Sequence, residues 1–323
     1  MTTPSSDTVL VTGAAGFIGS HLCSALIARG QRVVGIDNFH SFYAEPIKRR
    51  NAALVGLGTD QSPLLEIDIC DAQAVRAAFE AHRPKAVVHL AARAGVRPSI
   101  ADPVGYAHTN ITGTAVLLDQ ATRAGCDRFI QASSSSVYGN CPTAPFREDL
   151  DVSEPISPYA ATKRANELQC FTHHRLTGMP TACLRFFTVF GPRQRPDLAI
   201  QQFLLAAAAD RPISMFGDGS TSRDFTYVGD IVAGILASLD RIPRHGYRIW
   251  NLGSDRPVTL SDLIDRIGIV RGKPMQVERK PKQEGDVERT WADLSRAAAE
   301  LDYAPRTSLD QGLAKQWEFI RQS

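Results

Sequence analysis

Short apolar runs rich in strand-forming residues alternate with amphipathic helical patterns through the first 190 residues of the chain. Six of these runs have the length and composition of buried strands, and they lie at residues 9–11, 32–36, 64–69, 86–90, 128–132 and 181–186. Because strands separated by helices pair in the same direction, the alternation predicts a doubly wound, parallel α/β sheet. The first helix is predicted at residues 17–28, where the apolar residues form one stripe and Gly30 follows as a C-cap.

The sequence after residue 190 loses this alternation, because prolines divide it into short elements. We therefore predict two lobes, a sheet-containing lobe at residues 1–190 and a smaller lobe at residues 191–323. Residues 40–58, which follow the second strand, are predicted to be a flexible insertion in the first lobe.

Charge and cysteine usage exclude several classes of protein. The 36 basic and 34 acidic residues nearly cancel, so no global field favours nucleic acid or an anionic membrane, and any anion must be bound locally. The six cysteines form no CxxC pair and no cluster with zinc-finger spacing, which predicts no metal site and a reducing, cytoplasmic setting. The N-terminal residues lack a secretory pattern, and no apolar stretch approaches the ~20 residues of a membrane span.

A glycine-rich turn, VLVTGAAGFIGSH, links the first predicted strand to the first helix. Gly13, Gly16 and Gly19 stand at GxxGxxG spacing. Glycine lets the backbone approach a pyrophosphate, and a helix N-terminus presents unpaired N–H groups with a partial positive charge. We predict a dinucleotide site here, with Phe17 and Ile18 in contact with the same ligand. The alternative is that the glycines only pack a helix against a strand.

The ends of two other strands complete this predicted cofactor site. Asp37 ends the second strand, where a carboxylate accepts hydrogen bonds from an adenosine ribose and repels a 2′-phosphate, so NAD is favoured over NADP. With Asn38 beside it, Asp37 is alternatively an ordinary turn residue. Ala91 and Ala92 follow Leu90 at the end of the fourth strand, and their small side chains suit a cofactor lying across the strand ends or ordinary packing.

Tyr159 and Lys163 are the predicted catalytic pair. They stand four residues apart in SPYAATK, at the start of a predicted helix, so they stack on one face, one turn apart. An ammonium close to a positively charged cofactor ring lowers the pKa of a phenol, and Tyr159 then acts as a general base near neutral pH. The alternative is that Tyr159 is only a packed ring and Lys163 only a solvated charge, since this spacing also arises by chance. The position of the pair after the fifth strand favours a catalytic role.

Four serines, at positions 133–136, directly follow the fifth strand, where active-site loops leave such sheets. Ser134 is the predicted hydroxyl that hydrogen-bonds the reacting oxygen of the substrate and completes a Ser-Tyr-Lys set. The register of the run is ambiguous, so Ser133, Ser135 and Ser136 stay alternatives, and a flexible serine-rich turn is the non-catalytic reading.

Taken together, several motifs resemble bacterial nucleotide-sugar 4-epimerases of the extended short-chain dehydrogenase/reductase superfamily, above all those that act on UDP-glucuronate. The motifs are VTGAAGFIGSH, HLAARAGVRPS, SSSSVYG, SPYAATK, LRFFTVFGPRQRPD, FGDGSTSRDFTYVGDI and EGDVERTWAD. The resemblance runs from residue 9 to about residue 312. It implies an NAD-binding Rossmann fold whose seventh strand follows the catalytic helix. Part of the segment at about residues 225–255 is therefore expected to belong to the first lobe. The C-terminal lobe is expected to grip the nucleoside diphosphate.

A reaction cycle follows from this resemblance. Tyr159 removes the proton of the sugar 4-hydroxyl, hydride passes from C4 to NAD⁺, and the 4-keto sugar turns over about its diphosphate and takes the hydride back on its other face. The resemblance also places Asp68 and Ile69 at the adenine edge, with helix capping as the alternative for Asp68. Asn110 is placed near the nicotinamide, where it orients Lys163 or water; a helix N-cap is the alternative.

The resemblance further implies the residues that hold UDP. Arg195, Arg223 and Asp286 match family positions around the nucleotide, because arginine makes bidentate hydrogen bonds to phosphate and a carboxylate suits ribose hydroxyls. A surface salt bridge is the alternative for any one of them. Phe216 packs either beside the uracil or in the core.

Thr188 and the serine run favour an acidic sugar. Hydroxyls of Ser134, Ser135, Ser136 and Thr188 suit a C6 carboxylate, which fixed hydrogen bonds hold in the orientation that prevents loss of CO₂ from the 4-keto acid. Many family members have Thr where Ser134 stands, which leaves the register open. The alternatives are a 4-epimerase for UDP-glucose or UDP-N-acetylglucosamine, a UDP-glucuronate decarboxylase, and a non-catalytic NAD-sensing or RNA-associated member of the superfamily. The intact Tyr and Lys disfavour the last.

A homodimer is also implied by the resemblance, with two helices packed from each subunit. The candidate segments are residues 106–124 and 157–176, which carry the apolar residues Val116, Leu117, Leu118, Leu168 and Phe171. Packing within the monomer is the alternative for these side chains.

Overall fold

The computed structural model describes residues 7–281 and 287–322. In these ranges the strands are β1 (Thr8–Thr12), β2 (Arg32–Ile36), β3 (Leu64–Leu65), β4 (Ala86–His89), β5 (Arg128–Ser134), β6 (Thr181–Phe186), β7 (Thr188–Phe190), β8 (Ile213–Phe216), β9 (Ser222–Tyr227), β10 (Tyr247–Leu252), β11 (Pro257–Thr259) and β12 (Val277–Lys280). The α-helices are α1 (Phe17–Ala28), α2 (Glu45–Leu54), α3 (Ala72–His82), α4 (Val96–Ala101), α5 (Pro103–Ala107), α6 (Gly113–Arg123), α7 (Pro158–Thr177), α8 (Ala199–Ala208), α9 (Val228–Arg241), α10 (Leu260–Arg271), α11 (Ser295–Leu301) and α12 (Leu309–Arg321). A π-helical turn at His108–Thr112 joins α5 to α6.

Seven parallel strands form the central sheet, in the order β10-β6-β5-β4-β1-β2-β3. The predicted doubly wound parallel sheet is therefore confirmed, and each of the six predicted strands belongs to it. The third strand is shorter than predicted, since only Leu64–Leu65 pairs with β2. The seventh strand, β10, follows the long helix α7 in the chain and pairs with β6, as the resemblance implied.

Helices cover both faces of this sheet, which explains why its strands are apolar throughout rather than alternating with polar residues. Val9 and Val11 of β1 face one core, which contains side chains of α1 and α9. Leu10 faces the other core, which contains side chains of α3, α6 and α7. Leu117 and Leu118 are buried in this second core, so their predicted place in a subunit interface is wrong.

Helix α1 is formed at the predicted residues, Phe17–Ala28. It ends at a glycine, Gly30, whose φ of 75° is the left-handed conformation that favours glycine after a helix.

The insertion predicted at residues 40–58 is not a flexible loop, because it contains α2. Glu45 and Pro46 form an ordinary helix start. Asn51 Nδ2 fixes the helix to the sheet lobe by donating to the carbonyl of Ala15 at 3.3 Å, and Lys48 Nζ donates to the carbonyl of His40 within the insertion at 2.6 Å. The local helix signals were present in the sequence, but the distant partner Ala15 was not visible there.

A third core lies among α8, α10, α12 and β8, with Phe203, Leu263, Ile267 and Leu313 among its buried residues. Small sheets of β7, β9 and β11, and of β8 and β12, adjoin it. The lobe boundary at residue 190 stays a prediction. Within the described ranges, none of the helices combines the length and apolar character that crossing a membrane requires.

Candidate active site

A cleft of about 380 Å³ opens at the carboxyl ends of the central strands. This edge is where ligands bind in open α/β sheets, because the loops that leave the strands converge there. Most of the sequence-predicted site residues line the cleft: Gly13, Gly16, Phe17, Ile18, Gly19, Asp37, Asn38, Ile69, Leu90, Ala91, Ala92, Ser134, Ser135, Ser136, Tyr159, Lys163, Thr188 and Arg195.

The glycine turn has the geometry that a pyrophosphate needs. Gly13 has a φ of 68°, and a Cβ there would lie 2.9 Å from the backbone nitrogen of Ala91. A Cβ on Gly19 would lie 2.0 Å from the carbonyl oxygen of Gly13, so the helix packs directly on the turn. Gly16 is the N-cap of α1 and has no side chain to cap it, which leaves the first N–H groups of the helix facing the cleft. These features fit a bound dinucleotide phosphate.

Asp37 lies at the cleft and is also a turn residue. Its carboxylate accepts hydrogen bonds from the backbone N–H groups of Phe39 at 2.9 Å and Ala15 at 3.2 Å. Burial raises its pKa, although the two N–H groups and the nearby Lys48 ammonium oppose that rise. The turn role is therefore present in the structure, and contact with a ribose stays a prediction.

Asp68 is not among the residues that line the cleft, and its role at the adenine stays a prediction. Its carboxylate accepts hydrogen bonds from Cys70 N at 2.8 Å and from Asn38 Nδ2 at 3.0 Å. Asp71, rather than Asp68, caps α3 by accepting from Gln73 N and Ala74 N, so the capping alternative for Asp68 is wrong. Asp68 instead holds Asn38, which lines the cleft.

Asn110 is buried inside the π-helical turn, so the helix N-cap alternative is wrong. Its side chain clamps the loop after β4, because Oδ1 accepts from Arg93 N at 2.8 Å and Nδ2 donates to Arg93 O at 3.0 Å. Nδ2 also donates to Thr162 Oγ1 on α7 at 2.9 Å. Asn110 therefore shapes the cleft wall and bonds to α7 through Thr162 rather than through Lys163.

Helix α7 presents Tyr159 and Lys163 to the cleft, one turn apart as predicted. Ser157 caps the helix by accepting from Ala160 N, and Lys163 Nζ donates to the carbonyl of Ala132 at 2.8 Å. Burial lowers the pKa of Lys163 to about 8. Burial raises the pKa of Tyr159, and a hydrogen bond with Ser134 only partly offsets this. The protein alone therefore does not lower the phenol pKa.

The structure separates the roles of the four serines. Ser133 also lines the cleft, but its Oγ donates to the buried Glu167 Oε1 at 2.7 Å. Ser134 ends β5, hydrogen-bonds Tyr159, and donates to Ser136 Oγ at 3.1 Å. Ser135 and Ser136 line the cleft beside it. This geometry favours Ser134 over Ser133 as the hydroxyl next to the reacting atoms.

The residues predicted to hold a nucleotide sugar are only partly brought together. Thr188 lines the cleft, and so does Arg195, whose guanidinium pairs with Asp197 at 2.8 Å. Arg223 lies on β9, where it donates to the carbonyl of Ser222 at 2.9 Å, and it is not among the residues lining the cleft. Phe216 ends β8 and is half-buried, also outside the cleft lining. Asp286 lies outside the described residues.

Several cleft residues were not predicted from the sequence, and some of them lie in the segment that was predicted to be flexible. Phe42, Tyr43 and Lys48 line the cleft across from the glycine turn. The Phe42 ring centre lies 5.1 Å from the Arg195 guanidinium carbon. The hydroxyl of Tyr43 lies 3.9 Å from where a Cβ on Gly16 would be. The available signal was the helix start at Glu45-Pro46, which implies an ordered segment.

Comparison with known proteins agrees with this arrangement. Residues 9–253 match the model of the NAD dependent epimerase/dehydratase family. The UDP-glucuronate 4-epimerase of Thermodesulfobacterium geofontis (strain OPF15) is 41% identical over 310 residues, which are 95% of this chain and 94% of that protein.

Two solved structures extend the comparison. The UDP-glucuronic acid 4-epimerase of Bacillus cereus, in complex with UDP-glucuronic acid and NAD, is 36% identical, with a TM-score of 0.90 over 98% of this chain and 99% of that chain. The UDP-glucose 4-epimerase of Thermotoga maritima, with UDP-glucose, is 31% identical, with a TM-score of 0.88 over the same shares. The resemblance read from the motifs is confirmed, and the chain belongs to the NAD dependent epimerase/dehydratase family.

Proposed function

We propose that the protein is an NAD-dependent UDP-sugar 4-epimerase that converts UDP-glucuronate to UDP-galacturonate through a transient 4-keto sugar. The observation that carries the proposal is one cleft that joins a phosphate-binding glycine turn to Ser134, Tyr159 and Lys163, with further hydroxyls beside them. The similarity to a UDP-glucuronate 4-epimerase over 95% of the chain supports the same reaction.

The cleft would hold NAD⁺ along the carboxyl ends of the strands. The N–H groups of the glycine turn would hold the pyrophosphate, the Asp37 carboxylate would accept from the adenosine ribose, and Ala91 would leave room for the dinucleotide at the sheet edge. When bound, NAD⁺ would supply a hydride acceptor for C4 of the sugar and a hydride donor for the reverse step. Lys163, one turn from Tyr159, would donate to the nicotinamide ribose.

Tyr159 acts as the general base that removes the proton of the 4-hydroxyl, and Ser134 hydrogen-bonds the same oxygen. Because burial raises the pKa of Tyr159 in the protein alone, ionisation of the phenol depends on positive charge from Lys163 and the bound cofactor. The base is thus activated when the cleft is loaded.

Tyr159→Phe tests the base. Because only the phenol oxygen is removed, the variant should bind NAD and UDP normally while kcat falls by ~10²-fold or more. Stopped assays with UDP-glucuronate and calorimetric titration with UDP measure the two properties. Tyr227→Phe, outside the cleft lining, is the matched control and should keep its kcat. More than about a tenth of the wild-type kcat in Tyr159→Phe would assign the base to another group.

The buried Lys163 should lower the free energy of unfolding of the protein, although the proposed reaction needs its charge. Its pKa is about 8 in the folded protein against an ordinary 10.5. Between these pH values the unfolded chain holds a proton that the folded chain has released, so the free energy of unfolding rises with pH across this window. Below pH 8 the buried ammonium remains charged, at a cost of about 3 kcal/mol by the pKa difference.

Lys163→Met should therefore lose activity but gain up to about 3 kcal/mol in the free energy of unfolding at pH 7, with a weaker rise towards pH 10. The carbonyl of Ala132 keeps a second donor, Gln131 Nε2 at 3.0 Å, so it is not left unpaired. Urea denaturation at pH 7 and at pH 10 measures the change in the free energy of unfolding. Lys85→Met, at an exposed lysine, is the control. A Lys163→Met protein that is less stable at pH 7 contradicts the argument.

The acid group of the sugar lies against Thr188 and the hydroxyls of Ser134, Ser135 and Ser136 in this proposal. A carboxylate satisfies several hydroxyl donors, whereas a neutral hydroxymethyl group leaves some of them unpaired. Arg195, in the same cleft, is proposed to contact the diphosphate, and the nucleotide contacts of Arg223 and Asp286 remain predictions from the sequence.

Purified protein should convert UDP-glucuronate to UDP-galacturonate with little release of CO₂ and should strongly prefer it to UDP-glucose, as followed by NMR. Thr188→Val should raise KM for UDP-glucuronate by roughly 10-fold or more, because a hydrogen bond to a charged group contributes ~1.5–3 kcal/mol. It should also increase decarboxylation, since the carboxylate is free to leave the plane of the 4-ketone. Thr188→Ser keeps the hydroxyl and should behave as wild type. Equal turnover of UDP-glucose would contradict the proposal and indicate a neutral-sugar epimerase. A UDP-pentose as the main product would indicate a decarboxylase instead.

We also propose a homodimer, in the cytoplasm. Five apolar side chains on α7 and on the neighbouring α4 and α5 are between 47% and 81% exposed, namely Ile100, Val104, Leu168, Phe171 and Leu176. Exposed apolar side chains grouped on packed helices suit a self-complementary interface. Light scattering at micromolar concentration should give twice the chain mass, and Leu168→Glu with Phe171→Glu should give the monomer. A monomeric wild-type protein contradicts this assembly.

A further inference from the structure

Helix α7 carries a third polar residue in line with Tyr159 and Lys163. Glu167 lies four residues after Lys163, which puts all three on one face of the helix. Its side chain is 0% exposed and binds Arg185 of β6 through two hydrogen bonds, Nε to Oε1 at 2.8 Å and Nη2 to Oε2 at 2.9 Å. A bidentate pair of this kind is directional, so it defines how the helix sits on the sheet.

The same ion pair holds both ends of the serine segment. Ser133 Oγ donates to Glu167 Oε1 at 2.7 Å, and Ser133 lies opposite Arg185 in the register of β5 and β6. At the other end, the Arg185 guanidinium carbon lies 4.8 Å from the centre of the Tyr138 ring. Ser134, which hydrogen-bonds Tyr159, is therefore flanked by two contacts to one buried ion pair.

We propose that Glu167 and Arg185 are positioning residues that set the separation between Ser134 Oγ and the phenol oxygen of Tyr159. The proposal rests on the catalytic roles proposed for those two residues. Tyr159 is carried by α7 and Ser134 by β5, so their distance depends on the contact between helix and strand. Misplacement of reacting groups by about 1 Å can lower a rate ~10²-fold.

Stability alone does not account for this pair. Removing two charges from water is unfavourable, and replacing a buried ion pair by apolar residues of similar volume is often neutral or stabilising. A positioning role and a stabilising role therefore predict different behaviour for an apolar replacement.

The first test measures the melting temperature, kcat and KM of the double variant Glu167→Met/Arg185→Met and of Ser133→Ala, each with its controls. The double variant should keep its melting temperature within a few degrees while kcat per NAD-loaded site falls at least about tenfold and KM for UDP-glucuronate stays within about twofold. Ser133→Ala should lower kcat severalfold, and Ser133→Thr, which keeps the hydroxyl donor, should restore it. Arg164→Ala is the matched control, because it removes a third Glu167 partner, at 3.1 Å, whose side chain is partly exposed.

The second test needs no turnover. Tyrosinate absorbance of the NAD-loaded protein, with Tyr159→Phe as the blank, follows ionisation of Tyr159 directly. The hydrogen bond with Ser134 lowers the pKa of Tyr159, so a displaced Ser134 should move the titration to higher pH. Lys163 on α7, Tyr106 on α5 and Arg195 also face the ring, and none of them is changed in these variants.

The outcomes separate this proposal from the proposed function. A shifted titration in both Ser133→Ala and the double variant supports the positioning role even if UDP-glucuronate is not the substrate. Titration and kcat equal to wild type in Ser133→Ala overturn it, and this variant stays informative if the double variant fails to fold.

Discussion

Burial of both faces of the central sheet is the constraint from which the rest of the molecule follows. The strands carry apolar side chains in both directions, so the polar groups that chemistry needs are displaced to the strand ends, where backbone and solvent can satisfy them. The cleft therefore lies at the carboxyl ends, where Gly13, Ala91 and Ser134 lie at the ends of three neighbouring strands. Two polar pairs are buried inside this frame: Thr12 Oγ1 lies 2.7 Å from His89 Nδ1, and Glu167 is bonded to Arg185.

The sequence revealed the parts of the fold and site whose causes are local. Strand apolarity, the stripe of α1 and the four-residue spacing of Tyr159 and Lys163 are each encoded within a few residues, and the structure has all of them. Contacts between distant segments were not predictable. The Asn110 side chain bonds the backbone of Arg93 and Thr162 Oγ1, which the folded chain brings beside it, and its position near the nicotinamide stays a prediction. Residues 40–58 were expected to be flexible because their anchors, such as the Ala15 carbonyl, lie far away in the sequence.

Electrostatics links the cleft to its cofactor. Burial raises the pKa of Tyr159 and lowers that of Lys163, so the protein alone disfavours both charged forms that the proposed reaction uses. A phenolate and an ammonium one turn apart stabilise each other, and a cationic ring close by favours the phenolate further. The fold thus places Tyr159 and Lys163 together, and in the proposed reaction the bound cofactor would supply the charge that favours ionisation of the phenol.

The hydroxyls of Ser134, Ser135, Ser136 and Thr188 also suit the motion that the proposed reaction requires. An arginine would bind a C6 carboxylate strongly through a fixed fork, and the 4-keto sugar would have to break that pair before it could turn over. Hydroxyl donors rotate about their C–O bonds and accept as well as donate, so they can exchange partners as the ring moves. Several weaker bonds still restrain the angle between the carboxylate and the ketone, which is the angle that controls loss of CO₂. A neutral wall lined by hydroxyls therefore allows the sugar to rotate and still retains the acid group. A cationic wall would retain the acid group but would oppose the rotation.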